Sequence, residues 1–256
     1  MKFFSFIVFL FFISKFNAQN LVPNGSFEDY KKCPEKHQRF ADDNWHGPDS
    51  WYRVGCTADY FNKCSKNMSV PKNAAGDQEA RTGSAYAGLI LWDKSSENHR
   101  EYIEVKLNDS LKKNEMYCVK FYVSLADSSS YETSCIGAVL SKVHNDNLAF
   151  CGGNLHVFPQ IKNDTKEYIS NDSDWVEISG IYKTIGGEQY ITLGNFMGAK
   201  EDRTRKRMTG YQAVRWPFGG CAYYYIDDVS VIRITNENDC SGLLAAKPIV
   251  LKNVFF

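Results

Sequence analysis

Asp227 and Asp228, in the run YYYIDDVSVI, are the residues whose spacing most constrains their chemistry. Side chains of an extended chain alternate between faces, so Asp227 lies with Tyr225 and Val229, and Asp228 with Ile226. One carboxylate then points inward unless a bulge resets the register. A buried charge needs a partner. A metal ion would supply one, and so would hydrogen-bond donors at a strand end.

The second group is aromatic. Trp45, Trp51, Tyr52, Tyr60, Trp92, Trp216 and Phe218 fall in or beside irregular segments, and aromatic residues make up 14% of the chain. Such rings can stack on the apolar C–H face of a pyranose while polar neighbours take its hydroxyl rim. Trp51, Tyr60, Trp92 and Trp216 are the candidate ligand-binding residues. Trp216 stands foremost, because RWPFGG around it reads as an exposed loop.

Other chemistry is weakly represented. The cluster KEDRTRKR (Lys200, Arg203, Arg205, Lys206, Arg207) could meet phosphate, but Glu201 and Asp202 dilute it and a solvated loop accounts for it. The five histidines are scattered, and no zinc-protease, nucleophile-elbow, phosphate-loop or dinucleotide motif occurs. The expectation is therefore a chain that is not an enzyme. Lys plus Arg and Asp plus Glu both number 30, so no global field draws the protein to nucleic acid.

The elements that must position these residues are strands. EYIEVKL, MYCVKFYVSL, AYAGLILW, CIGAVLS, DWVEISGIY, EQYITLGNF and CAYYYIDDVSVIRI carry period-two alternation or strand-type composition, separated by Asn, Asp, Ser and Gly clusters. This pattern predicts an all-β, antiparallel β-sandwich. Residues 30–83 lack sustained alternation and contain three of the eight cysteines. A loop of that length calls for a staple.

The amino terminus has a basic tip at Lys2, an apolar run over residues 3–13 and a small residue at Ala18. This describes a secretory signal peptide over residues 1–18, since a membrane span needs about 20 apolar residues. All eight cysteines follow it, without a C-x-x-C spacing. In an exported chain this favours disulfides, with Cys118 as the natural exception because a lone buried thiol suits its strand.

NLVPNGSFEDY and YYYIDDVSVI together resemble the first and last strands of the jelly-roll, galactose-binding-like sandwich of extracellular carbohydrate-binding modules. CPEKHQRFADDNW, TADYFNKCS, VPKNAAGDQEARTGSAYAG, REYIEVKL, FYVSLADSS, IGAVLS and YITLGNF resemble the amino-terminal domain of exported OmpA-like envelope proteins of Bacteroidetes-type bacteria. KPIVLKNVFF is similar to the first strand of the OmpA-like peptidoglycan-binding domain.

This resemblance implies a jelly roll over residues 19–236, a linker over 237–248, and the opening strand of a further domain over 249–256. It implies a structural Ca²⁺ between the terminal strands, held by Glu28 and Asp227 with Asp228 in reserve, since Ca²⁺ takes hard oxygen ligands. It also implies a Cys33–Cys64 disulfide. The function implied is a non-catalytic module of the periplasm, outer membrane or cell surface of a Gram-negative bacterium, binding an envelope or extracellular glycan. Peptidoglycan would be reached only through the further domain. The alternative is a structural or protein-interaction domain of the outer membrane or secretion machinery that binds no sugar.

Overall fold

The computed structural model describes residues 19–37, 45–55, 57–96, 99–145, 154–163, 166–198, 202–207 and 220–242. Its strands in chain order are β1 (Trp51–Val54), β2 (Asp59–Asn62), β3 (Lys72–Asn73), β4 (Gly76–Asp77), β5 (Ala85–Asp93), β6 (Tyr102–Lys106) and β7 (Met116–Leu125). They continue as β8 (Tyr131–Thr133), β9 (Gly137–Ser141), β10 (Ile161–Lys162), β11 (Val176–Lys183), β12 (Tyr190–Gly194), β13 (Thr204–Lys206) and β14 (Cys221–Ile234). A single helical turn, α1 (Glu237–Gly242), follows the last strand.

Ten of these strands form two five-stranded sheets, ordered β1-β6-β12-β9-β10 and β11-β7-β14-β5-β2, and β3-β4 and β13-β8 are separate pairs. Every pairing is antiparallel. From β5 onward the longer strands alternate between sheets: β5, β7, β11 and β14 in one, β6, β9 and β12 in the other. That is the winding of a jelly roll.

Alternation explains the main core. Ile103, Val105, Ile191, Leu193 and Leu140 of the first sheet meet Leu89, Leu91, Val119, Phe121, Val123, Tyr224 and Ile226 of the second. Each such buried side chain contributes roughly 1.5–3 kcal/mol. The outer faces are also covered. Phe61, Met68, Val70, Tyr86, Tyr223 and Tyr225 form a second cluster beneath the irregular early segment. Val54, Tyr102, Val139, Leu155 and Phe196 form a third against the first sheet. Tyr102, whose position reads as a solvent face, is consequently buried, and Glu104 on the same face is buried by His144 and Asn145.

The early segment, expected to be long and irregular, contains β1 and β2, each the edge strand of a sheet. Their four-residue lengths are too short to establish a sequence period. The expected disulfide, Cys33–Cys64, is present and staples this region. Cys118 corrects the expectation of a lone thiol: it is bonded to Cys240 on α1. The resemblance also placed a strand at NLVPNGSFEDY. Residues 22–27 instead form a turn, flanked by two isolated bridges, Asn20 to Ile232 beside β14 and Tyr30 to Pro48. Phe27 from this segment is buried in the core at positive φ, 62°. Residues 1–18 and 249–256 lie outside the described residues.

Candidate functional site

Alternation in β1 separates Trp51 from Tyr52. Trp51 turns inward, 4% exposed, with its ring 4.8 Å from Phe27 and its Nε1–H donated to the Asn24 carbonyl. Tyr52 turns outward and is 47% exposed. Trp51 is therefore largely a core residue that also lines a cleft beside Tyr52, and the exposed ring is its neighbour. Tyr60 is also a core residue: its hydroxyl donates to the Phe27 carbonyl and accepts from Asn62. Trp92 is half-buried with its ring 4.7 Å from Tyr131. Trp216 lies outside the described residues.

Tyr52 joins two features. The first is a cleft of about 330 Å³, lined by Lys31, Lys32, Trp45, His46, Pro48 and Tyr52, among others. Trp45 anchors its indole by donating Nε1–H to the Ala58 carbonyl. The ring lies so close to Gly47 that any Cβ there would overlap it, so glycine is required for the approach. Asp49 and Ser50 connect this cleft to a more open one of about 470 Å³, lined also by Glu28, Asp29 and Tyr30.

The second feature is a row of rings across the outer face of the first sheet. The His144 ring lies 5.3 Å from Tyr52 and 5.8 Å from Tyr190, and Lys106 Nζ is 6.0 Å from the Tyr190 ring. Strand register explains the gathering. Tyr52 is the direct partner of Glu104, Glu104 is the partner of Thr192, and Tyr190 is the partner of Lys106. Glu104 is fully buried beneath His144, accepting from His144 Nδ1, from Asn145 Nδ2 at 2.8 Å and from Thr192 Oγ1 at 2.5 Å. Sequence reasoning missed Glu104, His144 and Tyr190. Alternation carried a signal for Glu104 and Tyr190, but which strands adjoin did not follow from it.

The three candidate calcium ligands do come together, around residues 81–85. The sequence's provision for a bulge is realised: register shifts between Asp227 and Ser230, and Asp228 adopts φ 49°. Asp227 accepts from the backbone N–H groups of Arg81, Thr82 and Asp228. Asp228 pairs with the Arg81 guanidinium and accepts from Thr82 Oγ1 at 2.6 Å. Glu28 accepts from Ser84 N–H at 2.8 Å. Burial, then the neighbouring Asp228, raises the Asp227 carboxyl well above the usual range, and burial likewise raises Glu28. This donor set does not fit a calcium ion, because N–H, O–H and guanidinium groups occupy the positions a cation would take. Among the described residues, no three His, Cys, Asp or Glu side chains are disposed to hold a metal.

Glu101 has a carboxyl pushed up to about 7, by burial first and by Asp59 second. A raised carboxyl can act as a general acid. This one is 1% exposed and accepts from Thr57 Oγ1 and Ile90 N–H, which seals it from substrate. Of the basic cluster, Arg205 on β13 pairs with Glu132 of β8 and Arg207 pairs with Asp172, while Arg203 and Lys206 are exposed. No helix among the described residues is long and apolar enough to cross a membrane.

No protein-family model matches the chain, and no curated protein matches it in sequence. Among solved structures it is similar to the CBM22-1 xylan-binding domain of Paenibacillus barcinonensis Xyn10C, with 15% identity, 78% of this chain and 93% of that one covered, and a TM-score of 0.41. It is also similar to the K3 cleaved adhesin domain of Lys-gingipain from Porphyromonas gingivalis, with 13% identity, 83% and 96% coverage, and a TM-score of 0.40. A third is the N-terminal cellulose-binding domain of Cellulomonas fimi β-1,4-glucanase C, with 8% identity, 74% and 92% coverage, and a TM-score of 0.36.

Proposed function

We propose that this chain is an exported, non-catalytic sandwich module that binds a glycan along a strip running from the Trp45–Tyr52 cleft toward Tyr190. The observation that carries the reading is Tyr52, an exposed ring shared by the cleft and by the ring row. An extended sugar chain needs that arrangement: apolar faces for its rings, with lysine, histidine, aspartate and serine groups near its hydroxyls. Disulfide bonds suit an oxidising compartment. The segments resembling OmpA-like proteins support a site in a Gram-negative envelope, at the periplasm, outer membrane or cell surface.

The test is a glycan array followed by calorimetry on the best ligand. Tyr52→Ala should weaken binding roughly tenfold, about 1.4 kcal/mol, while leaving the melting temperature within a few degrees, and Trp45→Phe should weaken it less. Absence of any glycan ligand, together with recovery of a stable protein partner from envelope extract, would favour the protein-interaction reading.

A further inference from the structure

Glu104 lies on the outer face of the first sheet, away from the main core, yet none of it is exposed. What buries it is the short segment after β9. His144 Nδ1 and the backbone and side-chain nitrogens of Asn145 fill its lone pairs, and Thr192 is the sheet's own contribution. The His144 side chain remains 35% exposed, so the ring enters the site from the solvent side. Its walls are the phenol rings of Tyr52 and Tyr190.

Two aromatic walls and a carboxylate floor make a receptor for a compact group that turns N–H or O–H donors downward and C–H or π surface sideways. Such a floor cannot stand bare, because a desolvated carboxylate without donors costs several kcal/mol. Something with donors must occupy it, and in this structure the occupant comes from the chain itself. The geometry points to a subsite, formed by Tyr52, Tyr190 and Glu104, for an amino-sugar residue with a free ammonium group, which displaces His144 while Asn145 and Thr192 keep their bonds to Glu104. An ammonium restores a charge-assisted bond to Glu104, and the pyranose ring replaces imidazole between the tyrosines. A neutral sugar offers the ring and a hydroxyl donor to Glu104, but no opposite charge. Lys106, at the Tyr190 wall, is exposed to solvent and so screened.

This subsite rests on the glycan-binding reading and extends its strip across the sheet. The experiment titrates a deacetylated glucosamine tetramer, its N-acetylated counterpart and cellotetraose into wild type, His144→Ala, and His144→Ala combined with Glu104→Gln. His144→Ala should bind the deacetylated tetramer at least tenfold tighter than wild type does, and at least tenfold tighter than it binds either neutral tetramer. The double variant should lose that preference. Imidazole at millimolar concentration should raise the melting temperature of His144→Ala and leave that of wild type unchanged. His144→Val repeats the comparison should the alanine variant fold poorly. Equal affinity of His144→Ala for all three tetramers, or no gain over wild type, overturns the subsite. If wild type binds a neutral glycan through Trp45 and Tyr52 while His144→Ala changes nothing, the subsite falls and the glycan reading stands. If no variant binds any glycan, both fall.

Discussion

Cys240, on the turn of helix that follows the last strand, is disulfide-bonded to Cys118, near the start of β7. The bond closes a sequence separation of 122 residues and pins α1 against β7, with Ile234 and Met116 packed around the sulfurs. A region that reads as the start of a linker is therefore fixed to the sandwich as far as the helix.

Closing so long a loop restricts the unfolded chain, and the loop-entropy account gives about 4–5 kcal/mol for a closure of this size. Cys240→Ser should accordingly lower the urea midpoint and the extrapolated unfolding free energy by several kcal/mol. It should leave Cys33–Cys64 intact, as peptide mapping under non-reducing conditions would check. An unchanged midpoint would mean that the bond contributes nothing to global stability.

Glu101 gives stability a pH dependence of definite sign. Its folded carboxyl is raised from 4.5 to about 7, burial being the leading cause and Asp59 the next. The folded state thus holds the proton more tightly than the unfolded state does. The contribution is fully present below about pH 4.5 and is lost as pH rises through about 7. The maximum effect is on the order of 3 kcal/mol. Melting temperatures measured from pH 5 to pH 8 should fall more steeply for wild type than for Glu101→Gln, whose amide stays neutral. Parallel curves for the two proteins would remove Glu101 as the source.

Much of the fold was legible because the long strands pay for themselves locally. Ile103 and Val105, Val119 to Leu125, and Ile191 and Leu193 repeat at the period of an extended chain and fill one core. Four-residue β1 shows no such period and was read as irregular, though it carries the most exposed ring of the site. Side chains expected at the surface, Tyr102 and Glu104, are covered by residues roughly 40 to 95 positions away, such as His144, Leu155 and Phe196. Strand neighbours fixed only by tertiary structure decide such coverings. The gathering of Glu28, Asp227 and Asp228 was foreseen, but the donors around them come from residues 81–85, which alternation says nothing about.

Those donors lead to the last prediction. Asp227 is fully buried and accepts hydrogen bonds from three backbone N–H groups, so its replacement by alanine leaves three donors without an acceptor. Each unsatisfied buried group costs about 1–3 kcal/mol, and water can re-solvate some of them, so a loss of about 3–5 kcal/mol is expected. Asp227→Asn should cost less, because its amide oxygen still accepts. Arg81→Ala should weaken the fold too, by removing the partner of Asp228 and the guanidinium that stacks 3.4 Å from the Tyr122 ring centroid. Because these partners already occupy the carboxylates, millimolar Ca²⁺ added to chelator-treated protein should move the melting temperature by less than about one degree, since stabilisation grows only with binding to the native state. A rise of several degrees, abolished by Asp227→Asn, would show instead that the ion displaces Arg81 and that the three carboxylates coordinate it.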